Sequence, residues 1–459
     1  MILGALLAAQ GSHDRIVGSD GFFHVQAAAS LGSMPWMPLS VFGDGWVDHQ
    51  LLFHALLAPL AWTLPPVLAA KAGAALLGAL GLGGLYLVLR RRDAPAPLLF
   101  ALLPIAISWQ FLVRLEMPRA QGLSLALMMA CCLALLEGRH RLLFGLAWLY
   151  AWTYQVALLV LPIAVLHSLL LYLRRPGAPE ASWRGPVAAL LGLAAGFVIH
   201  PHSPGTLRFL WQHVVLKVLN RDDLPVGTEW QPASVAELFT IGGGTVLVLG
   251  AAAILARRRL SHDVLFALLL AAGATVGALV AGKFLEYATP LSCLALGLAL
   301  RDRPVRLQPI AAGTALLALG STAWATSAIE RSEPPPDRLA PALTHLRAHA
   351  EPGERVYHFS WNDFPELVMH GPEYQYIVGL DPHFLQLAHP DLWTLYDRIG
   401  RGWGTNPSKP IAERFGAGWA ILVLPYPGEP EALLDADPGL RRAWSDEHAV
   451  VYEVVHSAD

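Results

Sequence analysis

The chain has 459 residues, of which 54% are hydrophobic and only 15% charged, whereas a soluble domain of ordinary make-up carries roughly 25% charged residues. The deficit places much of the surface against lipid, and a formal net charge of −3 excludes the basic field of a nucleic-acid binder. Cys131, Cys132 and Cys293 have neither the count nor the spacing of a disulfide framework or a metal site, and they read as packing residues.

In chain order, the opening run 2–9 is apolar, but it is shorter than the roughly 20 residues of a spanning helix and lacks the basic flank of a signal peptide. It reads as the end of a first span. An amphipathic, aromatic-rich segment follows at 11–66. Apolar runs then recur near 67–89, 96–113, 118–136, 141–153, 155–173, 186–201, 241–256, 263–281, 284–300 and 307–329. These predict a polytopic α-helical membrane protein of about eleven spans. The run 141–173 is too long for one span and is predicted to break at 152–154.

Orientation follows from basic residues. Arg90, Arg91 and Arg92, then Arg139 and Arg141, Arg174, Arg175 and Arg184, Arg257, Arg258 and Arg259, and Arg301, Arg303 and Arg306 all fall on one side of this topology. The opposite loops hold only scattered Arg15, Arg114, Arg119, Arg208, Lys217, Arg221 and Lys283. The clusters are therefore cytoplasmic, and the 11–66 loop, the 202–240 loop and the tail lie outside. Within the long loop, 206–220 has the pattern of a helix lying along the interface. From about 333 the composition turns soluble. Helix-like stretches (337–350, 409–415, 429–444) alternate with β-type runs (355–360, 374–380, 419–425, 449–454), the pattern of a small α/β layer domain. No Gly-rich phosphate loop opens its helices. The expected division is a membrane domain at 1–330 and an extracytoplasmic α/β domain at 331–459.

The outer loops hold the candidates for chemistry. The first reads Gly18-Ser19-Asp20-Gly21-Phe22-Phe23-His24 and then Asp44-Gly45-Trp46-Val47-Asp48-His49, with His54 following. A carboxylate at the membrane surface can take the proton of an acceptor hydroxyl as it attacks a sugar carbon. Asp20 is the first candidate for that base and Asp48 the second; a plain helix cap is the bland alternative for Asp20. Asp with His (His24, His49) can also hold a divalent cation, magnesium or manganese, to neutralise a leaving phosphate, and metal dependence stays open. Arg114-Leu115-Glu116-Met117-Pro118-Arg119 sits at the membrane edge, where arginine suits a lipid phosphate. The long loop supplies His200, His202, Arg208 and Glu229. Lys283-Phe284-Leu285-Glu286-Tyr287 opens the penultimate span, and Lys283 three residues before Glu286 can pair with it on one helix face. Asp363 after Trp361, and Asp381 before His383, read as turn-forming acids.

Together these residues resemble the C-type glycosyltransferases (the GT-C superfamily), polytopic enzymes that take sugars from polyprenyl-phosphate carriers. Asp20 followed by Phe22, Phe23 and His24 resembles the family's first-loop acid, and Asp48-His49 a second acidic element of that loop. Glu116 falls where oligosaccharyltransferases place another acidic ligand, and Lys283 with Glu286, Tyr287 and Pro290 resembles a basic–Glu-Tyr-Pro run of bacterial members. The resemblance implies a GT-C-like membrane fold with an outer C-terminal domain, in the bacterial inner membrane. It implies transfer of a sugar from a polyprenyl-phosphate donor to a lipid, glycan or protein acceptor at the outer face. No Asp-x-Asp pair occurs in the first loop, and Ser360-Trp361-Asn362-Asp363 only echoes a Trp-Trp-Asp acceptor signature, which argues against peptide N-glycosylation. The competing class is a transporter or flippase for a lipid-linked or anionic solute, which usually carries internal repeats; none is found.

Overall fold

A computed structural model describes residues 1–31, 34, 36–174, 183–216, 227–257, 260–304, 306–402, 406–428 and 430–455. The expected cytoplasmic Arg175, Arg258 and Arg259, the outer Lys217 and Arg221, and the 217–220 end of the interface helix lie outside the described residues.

Helices fill the first two thirds of the chain. Pro66–Arg91 and Gln155–Arg174 are each long and apolar enough to cross a membrane alone. The predicted break at 152–154 is present: helix His140–Ala151 ends there and a 3₁₀ turn begins at Gln155. Four further helices in expected spans, Gln121–Leu136, Arg184–Ile199, Gly243–Ala256 and His262–Gly277, are apolar but of 14 to 16 residues. At 1.5 Å per residue they reach roughly 24 Å, less than the ~30 Å hydrocarbon thickness. Helix length alone therefore does not yield eleven spans.

The expected span at 96–113 is bent rather than continuous. It breaks into Pro97–Ile107 and Trp109–Glu116, which meet at 96°. Ser108 makes the corner: its backbone is extended, and its hydroxyl accepts the Phe111 N–H as the cap of the second helix, the usual role of serine at that position. The turn swings Arg114 sideways across the end of the bundle.

Small residues set the packing. A Cβ at Gly122 would sit 2.7 Å from the Leu77 carbonyl oxygen, so helices Pro66–Arg91 and Gln121–Leu136 touch backbone to backbone, the small-residue contact favoured between helices in lipid. Large apolar side chains point away from the bundle, among them Leu247 at 76% and Leu316 at 70% exposure. Outward-facing leucines in such numbers mark a surface that water does not cover.

After the long helix Leu307–Ser332, the chain forms a five-stranded sheet from β1 (Arg355–His358), β2 (Gln375–Tyr376), β3 (Trp419–Val423), β4 (Leu440–Ser445) and β5 (Ala449–Val454), ordered β2-β1-β3-β5-β4. β1 runs parallel to β2 and β3, while β5 is antiparallel to β3 and β4. The stretch 429–444, expected as one helix, divides: Pro430–Asp435 is helical and Leu440–Ser445 is the edge strand. Asp437-Pro438-Gly439 between them is a turn, with the Asp437 carboxylate accepting the Gly439 N–H. The β-type run at 374–380 shrinks to two residues. Helices Phe364–His370, His383–Ala388 and Pro390–Gly400 are additional to the expectation.

The first loop is not a loose connection. Its helix Asp20–Ala29 and the segment after it share an apolar core with the sheet region, where Phe23, Trp36, Met37 and Phe42 meet Leu339, Phe364, Tyr376 and Phe384. Tyr376 N–H donates to the Trp36 carbonyl and Val41 N–H to that of Phe384. A cavity is left beneath this joint.

Candidate active site

The cavity measures about 820 Å³ and is walled by the first loop, the Trp109–Glu116 corner, Arg119, the 227–230 turn, Lys283 and the C-terminal segment. Asp20 enters it at the start of its helix, where Ser19 rather than Asp20 holds the cap position. Gly21 allows this placement: a Cβ there would lie 2.8 Å from the Pro118 ring. The tight fit brings Asp20 Oδ2 to 2.6 Å from Arg119 Nη2. Arg119 Nη1 in turn donates to Glu229 at 2.8 Å, and Arg114 donates to the same oxygen at 3.0 Å. Arg114 Nε also reaches Glu286 at 3.4 Å. Lys283 lies 3.8 Å from Glu229 and 3.7 Å above the Trp230 ring, a cation–π contact.

Three carboxylates and three cations thus interlock at the cavity wall. Burial raises the Asp20 carboxyl above its ordinary value of 3.8, opposed by Arg119 and reinforced by Glu229 and Asp381. Its side chain keeps 33% of its surface open, so Oδ1 can still meet a ligand while Oδ2 is held. Burial acts to raise Glu229 too, but Arg119, Lys283 and Arg114 overcome it and hold that carboxyl below its usual range. It stays ionised.

Asp48 is placed differently. It sits behind the wall, 4% exposed, where its Oδ2 meets His54 Nδ1 at 2.7 Å and its Oδ1 accepts the Gln50 N–H. His54 Nε2 meets His24 Nδ1 at 2.9 Å. Asp48, His54 and His24 thus form one hydrogen-bonded chain behind the wall. Burial works to raise Asp48, yet the charge and hydrogen bond of His54 bring it below its ordinary value. Burial, then neighbouring His54, pushes His24 well below 6.5, and burial lowers His49 to about 3. Both rings on the cavity wall are neutral.

Of the residues expected at the site, Asp20, His24, His49, Arg114, Arg119, Glu229 and Lys283 line the cavity. Five others do not, besides Asp48. Glu116 turns away to bind His13 at 2.9 Å. His202 accompanies His200, and Arg208 is exposed on the short helix Gly205–Leu210. Glu286 lies in a small adjoining hollow. It pairs with Arg114 rather than with the expected Lys283, because the corner at Ser108 delivers Arg114 to it. Tyr287 lies deeper, bonded to Ser124 at 2.8 Å, beside an apolar pocket of about 230 Å³ lined by Met128, Leu159, Leu270 and Phe284. Sequence reading missed Arg338 and Glu366, which form a forked ion pair at 2.8–3.0 Å on the cavity's C-terminal wall; nothing in their local sequence marks them. Asp363, expected as a turn former, does close the 3₁₀ turn Trp361–Asp363 and also lines the cavity, where burial raises its carboxyl to about 8 against the pull of Arg338.

Asp20 is held by a guanidinium, and His24 by another imidazole. Among the described residues, the group of three metal-ligating side chains with converging atoms is His213, Asp381 and His383.

No protein-family model matches this sequence, and comparison with curated proteins gives no match either. Solved structures do match. ArnT from Cupriavidus metallidurans bound to undecaprenyl phosphate superposes with a TM-score of 0.64 at 14% identity, covering 99% of this chain and 97% of that one. The chain shares the fold of that structure over almost its whole length. ArnT in its apo state gives 0.62 at 15% identity, over 98% and 96% of the two chains. The archaeal oligosaccharyltransferase AglB from Archaeoglobus fulgidus, in complex with an inhibitory peptide and a dolichol-phosphate, gives 0.62 at 13% identity, over 92% and 69%. At these identities the likeness concerns the fold.

Proposed function

We propose that this GT-C-fold chain transfers a sugar from a polyprenyl-phosphate carrier to a lipid, glycan or protein acceptor, at the outer face of a bacterial inner membrane. The reading rests above all on one observation: a single cavity brings the Asp20 carboxylate together with Arg114, Arg119 and Lys283. The neighbours named as bound to undecaprenyl phosphate and dolichol-phosphate support it. In this reading residues 1–330 form the membrane domain, and the shorter apolar helices also cross, in a bilayer thinned around them. Residues 331–459 form an outer domain that roofs the cavity.

The reaction places opposite demands on the two sides of the cavity. An acceptor hydroxyl or amine attacks the anomeric carbon, and the bond from that carbon to the phosphate oxygen breaks. The carrier phosphate departs with the electron pair, and the acceptor proton passes to Asp20 Oδ1. Arg119 fixes the carboxylate through its other oxygen, which orients the base. The leaving phosphate needs a cation. Lys283 is the best placed, because among the described residues its carboxylate contact is at the outer limit of an ion pair, whereas both arginines are engaged at 2.6–3.0 Å. The apolar pocket next to Phe284 offers the carrier's hydrocarbon a path from lipid to Lys283.

The test is a transfer assay with purified protein in lipid, labelled polyprenyl-phosphate sugars and an envelope extract. Wild type is expected to move label into an acceptor, and Asp20→Asn to remain folded but inert. A donor panel left unconsumed by wild type would defeat the proposal and turn attention to uptake into vesicles.

A further inference from the structure

Three side chains of metal-ligating type meet where the long outer loop touches the C-terminal segment. His213 lies on the turn Trp211–Leu216, while Asp381 and His383 flank Pro382 at the start of helix His383–Ala388. One ligand atom from each lies within 4.8 Å of the others. Asp381 Oδ1 is 2.8 Å from His383 Nδ1, with the two side chains 9% and 0% exposed. His383 Nε2 has no hydrogen-bond partner among the described residues. A buried ring nitrogen without a hydrogen bond is costly, and the fully buried His383 Nε2 is one.

We propose that His213, Asp381 and His383 bind a zinc ion, which ties the outer loop to the C-terminal domain at the cavity wall. Nitrogen and oxygen ligands at 2.0–2.2 Å from a tetrahedral zinc lie roughly 3.3 Å apart, within the 4.8 Å that contains all three ligand atoms. Two imidazoles with one carboxylate suit zinc rather than magnesium or calcium, which prefer all-oxygen shells. The rings are also pre-set by packing. His213 stacks on Phe209 at 5.0 Å and on Phe384 at 5.8 Å, and His383 contacts Phe384 at 4.2 Å. Aromatic support of this kind holds a coordinating group in its productive rotamer. Three protein ligands leave a fourth position, and since His213 and Asp381 line the cavity, that position faces it. The site stands on geometry that does not depend on the transfer reaction.

The experiment measures zinc by mass spectrometry in the full-length chain, purified in detergent, loaded with excess zinc and desalted. Wild type is expected to retain about one zinc per chain, and His383→Ala to retain roughly tenfold less or lower. Chelation is expected to lower the melting temperature of wild type and leave that of the variant unchanged. Should His383→Ala not fold, His213→Asn, on the loop turn, carries the same comparison. Wild type holding no more zinc than a folded variant, or zinc held equally by both, overturns the site.

Discussion

Two ionic clusters sit at opposite ends of helix Leu285–Ala299, and they are built for different ends. Past its C-terminus, Asp263 accepts from Arg92 at 2.6 and 2.9 Å and from Arg301 at 3.3 Å. One carboxylate, 9% exposed, joins three segments through its Oδ2. At the N-terminus, Asp20, Glu229 and Glu286 alternate with Arg119, Arg114 and Lys283. That cluster opens onto a cavity, keeps part of Asp20 exposed, and holds Lys283 only loosely. Similar residue types give a buried clamp at one end and, at the other, a surface that opens onto a cavity.

The largest effect expected is the exchange of roles between the two ends. Asp20→Asn should lower transfer by roughly 10²–10⁴-fold, the usual worth of a general base, with little change in melting temperature. Asp263→Asn should do the reverse, costing about 1–3 kcal/mol of stability by leaving two guanidinium groups poorly paired, with kcat unchanged. Thermal unfolding and turnover on the same preparations decide it; a rate loss for Asp263→Asn without unfolding would dissolve the contrast.

Next comes Lys283→Met, expected to raise KM for the carrier sugar roughly 10–100-fold through loss of one charge-assisted contact. Lys283→Arg should recover part of it. An unchanged KM would move phosphate binding to the arginines.

A smaller, diagnostic effect is the acid limb of the rate. Asp20 must be ionised to act as base, and its pKa is raised. Activity should therefore fall, as pH drops, through an apparent pKa above 3.8; a flat kcat/KM down to pH ~4 would remove Asp20 from the role.

The smallest lies in the roof. Asp363 binds its proton up to about pH 8 in the folded chain, against an ordinary 3.8. The folded state therefore holds the extra proton between those values, and stability should decline as pH rises across that window. Asp363→Asn should flatten the slope, read by melting temperature at several pH values.

How far these residues could be read from sequence depended on how locally they are placed. Asp20 and Lys283 stand out because acids and bases in an apolar chain are costly and few. Glu116 stands out equally, yet points at His13, since which way a short linker faces is not a local property. Arg114 reached the cavity only through the 96° corner at Ser108, and continuous hydropathy across 96–113 conceals that corner. Arg338, from a segment over 200 residues beyond Arg114, carries no local mark at all.

By itself, then, the sequence determined the long apolar helices, the break at 152–154, the soluble turn of composition after 333 and the first-loop acids. Hydrophobic length and charge asymmetry act locally, and the bilayer reads them residue by residue. The partners were decided only in three dimensions: Arg119 for Asp20, Arg114 for Glu286, His54 for Asp48, and Asp381 with His383 for His213. Such pairs depend on bends, on glycine-permitted close contacts and on a loop docking against a distant sheet, and a side chain's neighbours across those joints are fixed only when the whole chain has packed.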